Sequence, residues 1–200
     1  MTTVIFSHGQ ESGPWGTKIR AMAELARSMG CEADSIDYQG IADPGERVRK
    51  LLAACDGIED TLILVGSSMG GHVATAAADK VNAAGLFVLA PAYYMEGYEE
   101  LTPPPPGMPV CIVHGWHDDV VPVENSIRFA RECAATLHIL DGDHRLGDFL
   151  DQGFFLIRRE YVLDYVNCYE WHGFAPALII RRLALFGGPH CTFFPEFVER

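Results

Sequence analysis

Residues 61–78 read TLILVGSSMGGHVATAAA, and the succession of residue types in this stretch decides the fold. From Thr61 to Val65 the chain is aliphatic without alternation, the pattern of a strand buried on both faces of a parallel sheet. Gly66-Ser67-Ser68-Met69-Gly70 follows at once and fits G-x-S-x-G. Behind it Gly71, Ala74, Ala76, Ala77 and Ala78 supply small residues suited to a closely packed helix. A serine on so sharp a strand-to-helix turn is held in a strained conformation with its hydroxyl exposed, while glycines at 66 and 70 let neighbouring backbone pass close by. Ser68 is therefore the candidate nucleophile. Taken alone, the same turn would also suit a nucleotide-binding α/β protein, so its meaning depends on what accompanies it.

Working outward, β-branched or aliphatic runs near residues 2–7, 33–37, 85–90, 109–114 and 136–140 join 61–66 as expected strands, with helical patterns between them. That rhythm predicts an α/β fold: a mostly parallel sheet of about six strands with helices on both faces. Gly16 to Met29 places Ile19, Met22, Ala23, Ala26 and Met29 on one face and stops at Gly30. Asp43-Pro44-Gly45-Glu46 supplies a cap, a first-turn proline and a capping acid, and Val48, Leu51, Leu52 and Cys55 form the buried stripe behind it. A further helix is expected from about Glu124 to Ala134. The stretch between the fourth and fifth strands, with Pro103 to Pro106 extended, is too short for a separate lid domain.

A serine hydroxyl is a poor nucleophile at neutral pH and needs a general base, itself oriented by a carboxylate. Asp118, with Asp119 as the fallback, follows the strand ending Val113-His114-Gly115 and is placed as the acid. His144 stands in Asp141-Gly142-Asp143-His144 after the last strand, at the same carboxyl edge, and is placed as the base. The chain order Ser, Asp, His is that of the serine elbow. An oxyanion hole needs two donors, expected from the backbone N–H groups of Met69 and of Gln10 in Ser7-His8-Gly9-Gln10. His8 sits in a strand-end turn, where bonding to backbone is favoured over a role as base. With Gly9, Gly66 and Gly70 it forms the supporting set. Trp15, Tyr93, Tyr94 and Trp116 lie on loops near the same edge, where they either line an acyl pocket or simply pack. Asp118, Asp119, Asp143 and His144 could instead suggest a metal site, but that would leave the serine elbow unexplained. No metal and no cofactor is expected. His72, His117 and His138 have no motif support.

FSHGQESGPWGTK, VGSSMGG, HGWHDDVVP and DGDHR together resemble the lidless α/β hydrolases related to the mitochondrial acyl-protein thioesterases. The resemblance covers about residues 1–150. It implies the α/β-hydrolase fold and hydrolysis of carboxylic esters or thioesters, with Ser68, Asp118 and His144 as the triad, and it leaves the acyl chain open. The competing reading is a catalytically idle hydrolase fold that binds a ligand or a protein.

A formal charge of −12, from 15 Lys and Arg against 27 Asp and Glu, excludes nucleic acid and anionic membrane surfaces as partners. A small-molecule or acylated substrate fits better. The six cysteines are widely spaced without a CxxC pair, which points to reduced thiols in the cytoplasm. The start MTTVIFSHG lacks the features of a signal peptide, and no stretch is apolar for eighteen residues. One domain is expected over residues 1–200. Phe154, Ile157, Tyr161 and Tyr165 recur at helical spacing as a closing helix, and another helix is expected from Pro176 to Phe186. Residues 168–200 form an atypical apolar extension with three readings: a helix packed on the core, a homodimer-forming arm, or a sequence altered by a frame change.

Overall fold

A computed structural model describes residues 1–147 together with the three residues 184–186. In chain order the elements are β1 (Thr2–Ser7), α1 (Thr17–Ser28), β2 (Glu32–Ile36), α2 (Pro44–Cys55), β3 (Thr61–Ser67), α3 (Met69–Ala78), β4 (Gly85–Leu89), β5 (Val110–Gly115), α4 (Val123–Cys133), β6 (Thr136–Leu140) and β7 (Ala184–Phe186). The strands form one sheet in the order β2-β1-β3-β4-β5-β6-β7, and every neighbouring pair is parallel. All six expected strands are present.

Alternation along the strands sorts the core into two layers. Ile5, Leu62, Leu64, Leu86, Val88 and Ile112 pack on one face with Leu51 and Cys55 of α2, Val73 and Ala77 of α3, and Phe129 of α4. Val4, Phe6, Val65, Leu89 and Val113 point the other way and meet Ile19, Met22, Ala23 and Ala26 of α1. Helices thus cover both faces.

The helix boundaries follow from local chemistry. Asp43 caps α2 by accepting the Glu46 amide at 2.7 Å, with Pro44 in the first turn. At the end of α1 the Cys31 amide donates to the Ala26 carbonyl and the Gly30 amide to that of Arg27. This paired closure needs the positive φ of 83° that Gly30 supplies. Between β4 and β5 the chain makes a single 3-10 turn at Glu99–Leu101.

The seventh strand corrects one expectation. Ala184–Phe186, assigned from its apolar pattern to the end of a helix beginning at Pro176, pairs instead with β6 in the register His138↔Ala184, Ile139↔Leu185 and Leu140↔Phe186. An apolar tripeptide beside an open strand edge satisfies its backbone groups by extending the ladder. The rest of that expected helix, the one around Phe154 to Tyr165, and the remainder of the 168–200 extension lie outside the described residues. No helix among the described residues is long and apolar enough to cross a membrane.

The chain leaves β1 for β2 on one side and then enters β3 on the other. This reversal of strand order opens a crevice at the carboxyl ends of β1 and β3, the usual binding position in an open α/β sheet.

Candidate active site

Ser68 stands at that crevice, between the end of β3 and the start of α3, with φ 55° and ψ −122°. A non-glycine residue rarely holds this conformation, and here the surroundings enforce it. The Ser68 amide donates to the Leu89 carbonyl at 2.9 Å, while the Ser68 carbonyl accepts from Gly71 and Ala92. The flanking glycines are sterically required. A methyl group at Gly70 would run into the backbone of Ser7 and His8, and one at Gly66 into the backbone of Gly70 and Gly71. The first turn of α3 therefore lies against β1 and β3 too closely for any side chain.

Three side chains from three strand-end loops meet in series. His144 Nε2 lies 3.1 Å from Ser68 Oγ, and His144 Nδ1 lies 2.7 Å from Asp118 Oδ2. An ionised carboxylate only accepts, so Nδ1 carries the proton and Nε2 is free to accept from the serine hydroxyl. The other Asp118 oxygen, Oδ1, accepts the amides of Val120 at 2.9 Å and Val121 at 2.8 Å. Burial alone would push the Asp118 carboxyl up; the Val121 amide, His144 and the Val120 amide overcome it and hold it below the ordinary carboxylate range. Asp119, the fallback, is exposed.

The loops are tied to one another as well. The Trp116 amide donates to the Leu140 carbonyl at 2.7 Å and that of His117 to the Gly142 carbonyl at 2.9 Å, fixing the Asp118 loop against the His144 loop. Asp143 Oδ1 accepts the amides of Arg145 and Leu146, and the Leu146 side chain is buried beside Leu89 and Val113. Lys18 Nζ reaches the His144 carbonyl at 3.4 Å. Asp143 thus serves its own turn. Among the described residues no group of three or more His, Cys, Asp or Glu side chains could hold a metal ion.

On the other side of Ser68, Gly9 lies close by: a methyl group there would meet Ser68 Cβ at 3.4 Å. His8 is fully buried, accepts the Tyr38 amide on Nε2 at 2.8 Å and donates from Nδ1 to the Gly9 carbonyl at 2.7 Å. Burial pushes its pKa below the ordinary 6.5, and the nearby Arg47 charge adds to that. His8 is a neutral brace for the loop. The Gln10 and Met69 amides donate to no group among the described residues.

The four aromatic candidates separate. Tyr93 is wholly buried, its hydroxyl 2.6 Å from Thr75 Oγ1 and its ring stacked on Phe129, so it takes the packing role. Tyr94 bonds Glu132 through its hydroxyl and lies under the Arg128 guanidinium, against α4. Trp15 and Trp116 present aromatic surface, at 36% and 51% exposure.

Two site residues escaped the sequence reading. His114, at the end of β5, is fully buried with Nε2 2.9 Å from the Val121 carbonyl and 3.1 Å from Asp118 Oδ2. Its Nδ1 lies 2.7 Å from Ser126 Oγ. Since the Val121 carbonyl only accepts, Nε2 carries the proton and Nδ1 takes that of Ser126; burial lowers the pKa and keeps the ring neutral. The signal available was its place in a His-Gly pair before Asp118, matching His8-Gly9. Arg47 is the second, buried under the loop after β1.

Comparison with known proteins bears on the fold and the family. Bovine (Bos taurus) palmitoyl-protein thioesterase ABHD10, mitochondrial, is 25% identical over an alignment 209 positions long, covering 74% of this chain and 68% of that protein. A solved structure from Xanthomonas campestris pv. campestris, described as a hydrolase of the alpha/beta superfamily, is 29% identical with a TM-score of 0.68, covering 74% of this chain and 91% of that one. Mouse alpha/beta hydrolase domain-containing protein 10 superposes with a TM-score of 0.66 at 21% identity, over 82% of this chain and 90% of that one, a likeness of fold alone. The model of the Alpha/beta hydrolase family matches residues 4–191, and the chain belongs to that family.

Proposed function

We propose that this protein is a serine hydrolase that cleaves carboxylic ester or thioester bonds through an acyl-enzyme. The observation that carries the reading is the unbroken series from Ser68 Oγ through His144 to Asp118 Oδ2, at 3.1 and 2.7 Å.

In this reading Ser68 Oγ attacks the substrate carbonyl as His144 Nε2 takes its proton, and Asp118 stabilises the imidazolium that forms. The Gln10 and Met69 amides hold the oxyanion, each contributing on the order of a hundredfold in rate. The tetrahedral intermediate collapses, the alcohol or thiol leaves with the proton from His144, and the acyl group remains on Ser68. Water then attacks the acyl-enzyme with His144 as base, releasing the acid and restoring the serine. The thioesterase name of the bovine relative supports including thioesters. Exposed Trp15 and Trp116 supply apolar surface for an acyl group or leaving group. Cys31 and Cys55 are free thiols, in keeping with the reducing cytoplasm we infer as its setting.

A fluorophosphonate probe tests the reading. The wild-type protein is expected to label and Ser68→Ala not to, with hydrolysis of p-nitrophenyl acetate falling by about a thousandfold or more in the variant. Equal labelling of both proteins, or none of the wild type, would overturn it and leave a ligand-binding member of the family. A graded series of acyl esters and thioesters then identifies the acyl group.

A further inference from the structure

Arg47 is 2% exposed, at the fourth position of α2, where it continues the buried stripe of Leu51 and Cys55 at intervals of four. Burying a guanidinium is costly unless its charge is paired or its donors are all used. No carboxylate bonds it among the described residues. It donates instead from Nε to the Ile41 carbonyl at 2.7 Å and from Nη1 to the carbonyls of His8 at 3.4 Å and Gly9 at 3.3 Å. Its guanidinium carbon also lies 5.3 Å from the centre of the Tyr38 ring, whose hydroxyl is held by Ser7. A full positive charge is thus retained beneath the loop after β1, and the carbonyls of that loop are turned toward it.

The consequence lies on the opposite side of the peptide. A trans peptide is planar, so its carbonyl and its N–H point in opposite directions. The Gly9 carbonyl is drawn to Arg47 Nη1 and His8 Nδ1, which turns the Gln10 N–H away from both. Ser68 is a near neighbour of this peptide: a methyl group on Gly9 would meet Ser68 Cβ at 3.4 Å. A cation on the carbonyl end also polarises the amide, because linked hydrogen bonds strengthen one another in a low-dielectric interior.

We propose that Arg47 is a positioning residue for acyl transfer: it fixes the Gly9–Gln10 peptide so that the Gln10 N–H stands as a pre-aimed, polarised donor to the oxyanion. This rests on the reading of Ser68 as the acyl-enzyme nucleophile. Arg47 touches no reacting atom and acts through one peptide bond. Its contribution belongs to the transition state, where the carbonyl oxygen of the substrate gains charge, and is nearly absent when the neutral substrate is merely bound.

The test compares wild type, Arg47→Met and Arg47→Lys in steady-state hydrolysis of p-nitrophenyl acetate. Inhibition by an alkyl trifluoromethyl ketone, which accepts Ser68 Oγ to form an anionic hemiketal, is measured beside it, with thermal melting as the check of folding. Arg47→Met is expected to lose between about tenfold and a hundredfold in kcat with KM within about twofold, and its affinity for the ketone is expected to fall in parallel. Arg47→Lys, which keeps the charge but loses the planar fork, is expected to fall between the two. Should Arg47→Met not fold, the Lys variant carries the test: a loss in kcat at unchanged KM supports the inference, and wild-type kcat overturns it. A folded Arg47→Met with wild-type kcat, or with unchanged ketone affinity, overturns the inference while the hydrolase reading stands. A wild-type protein that neither turns over the ester nor binds the ketone overturns both together.

Discussion

Two His-Gly pairs end two strands of the sheet, His8-Gly9 after β1 and His114-Gly115 on β5, and they hold opposite sides of the candidate site. Both imidazoles are fully buried and both are kept neutral by burial. Their partners differ. His8 hydrogen-bonds backbone, the Gly9 carbonyl and the Tyr38 amide, with the exposed Asp37 carboxylate no nearer than 3.9 Å, so it shapes a loop. His114 bonds Ser126 and the Val121 carbonyl and also lies against Asp118 Oδ2, so it props the candidate acid from behind. The glycines differ in the same sense. A methyl group on Gly115 would collide with the Gly142 and Asp143 carbonyl oxygens, whereas on Gly9 the nearest atom is Ser68 Cβ at 3.4 Å. One dipeptide therefore serves a tolerant loop at β1 and a crowded junction of two loops at β5.

The largest effect should come from testing the two glycines against each other. Gly115→Ala must push the chain at Gly142 and Asp143 aside, directly before His144. We expect a loss of about 3 kcal/mol in stability and about a hundredfold in kcat, because a displacement near 1 Å of a catalytic group costs that much. Gly9→Ala should lose less than about 1 kcal/mol. Urea denaturation and ester hydrolysis of the two variants check the contrast. Equal damage from both would show that the two turns are equally crowded.

The imidazoles should give the next largest effect. His8→Ala leaves the Tyr38 amide without its acceptor and the Gly9 carbonyl without its nearest donor, while Arg47 still holds that carbonyl. His114→Ala leaves Asp118 with its three remaining partners, the Val120 and Val121 amides and His144. Both should lose about 2 kcal/mol in stability. Among molecules that remain folded, His114→Ala should lose about tenfold in kcat with KM unchanged, since its contact is to the proposed acid and not to substrate. A His114→Ala protein that keeps full kcat would reduce His114 to a structural residue like any other in the core.

How much of this could be read from sequence depends on how far apart the interacting residues lie. The elbow at Ser68 was legible because strand, turn and helix are contiguous and each glycine has a local steric reason. Asp118 and His144 were legible because each follows a strand, and a parallel sheet delivers all its strand ends to one edge. The start of α2 was written into Asp43, Pro44 and Glu46. Arg47, the next residue, was not: the expected stripe of Val48, Leu51, Leu52 and Cys55 does pack on the core, Leu51 and Cys55 buried and Val48 and Leu52 partly so, but the buried line also takes in Arg47. Two of its three carbonyl partners, those of His8 and Gly9, lie nearly forty residues away, and nothing local marks an arginine as buried. Tyr93 shows the same limit, since an aromatic residue on a loop reads alike whether it lines a pocket or stacks on Phe129. The three residues of β7 carry an apolar pattern that suits helix and strand alike; only the edge of β6, over forty residues earlier, makes them a strand.

The smallest effect concerns pH, and here the two histidines should behave alike. Each has a folded pKa below the ordinary 6.5, with burial the leading cause. For such a base the unfolded chain takes up a proton that the folded site refuses, so its contribution to stability is complete above about pH 6.5 and declines as the pH falls toward the folded value. Between pH 7.5 and 6 each should cost about 0.8 kcal/mol at most. Asp118 responds separately. Its carboxyl is held below its ordinary 3.8, so its contribution persists down to about that pH and is lost only as the pH falls through the lower folded value. Urea denaturation from pH 7.5 to 5.5 should therefore show a decline before any carboxylate contribution is lost. His8→Asn and His114→Asn should each remove a similar share of that slope, and a wild-type curve that stays flat over this range would mean that both rings accept the proton in place.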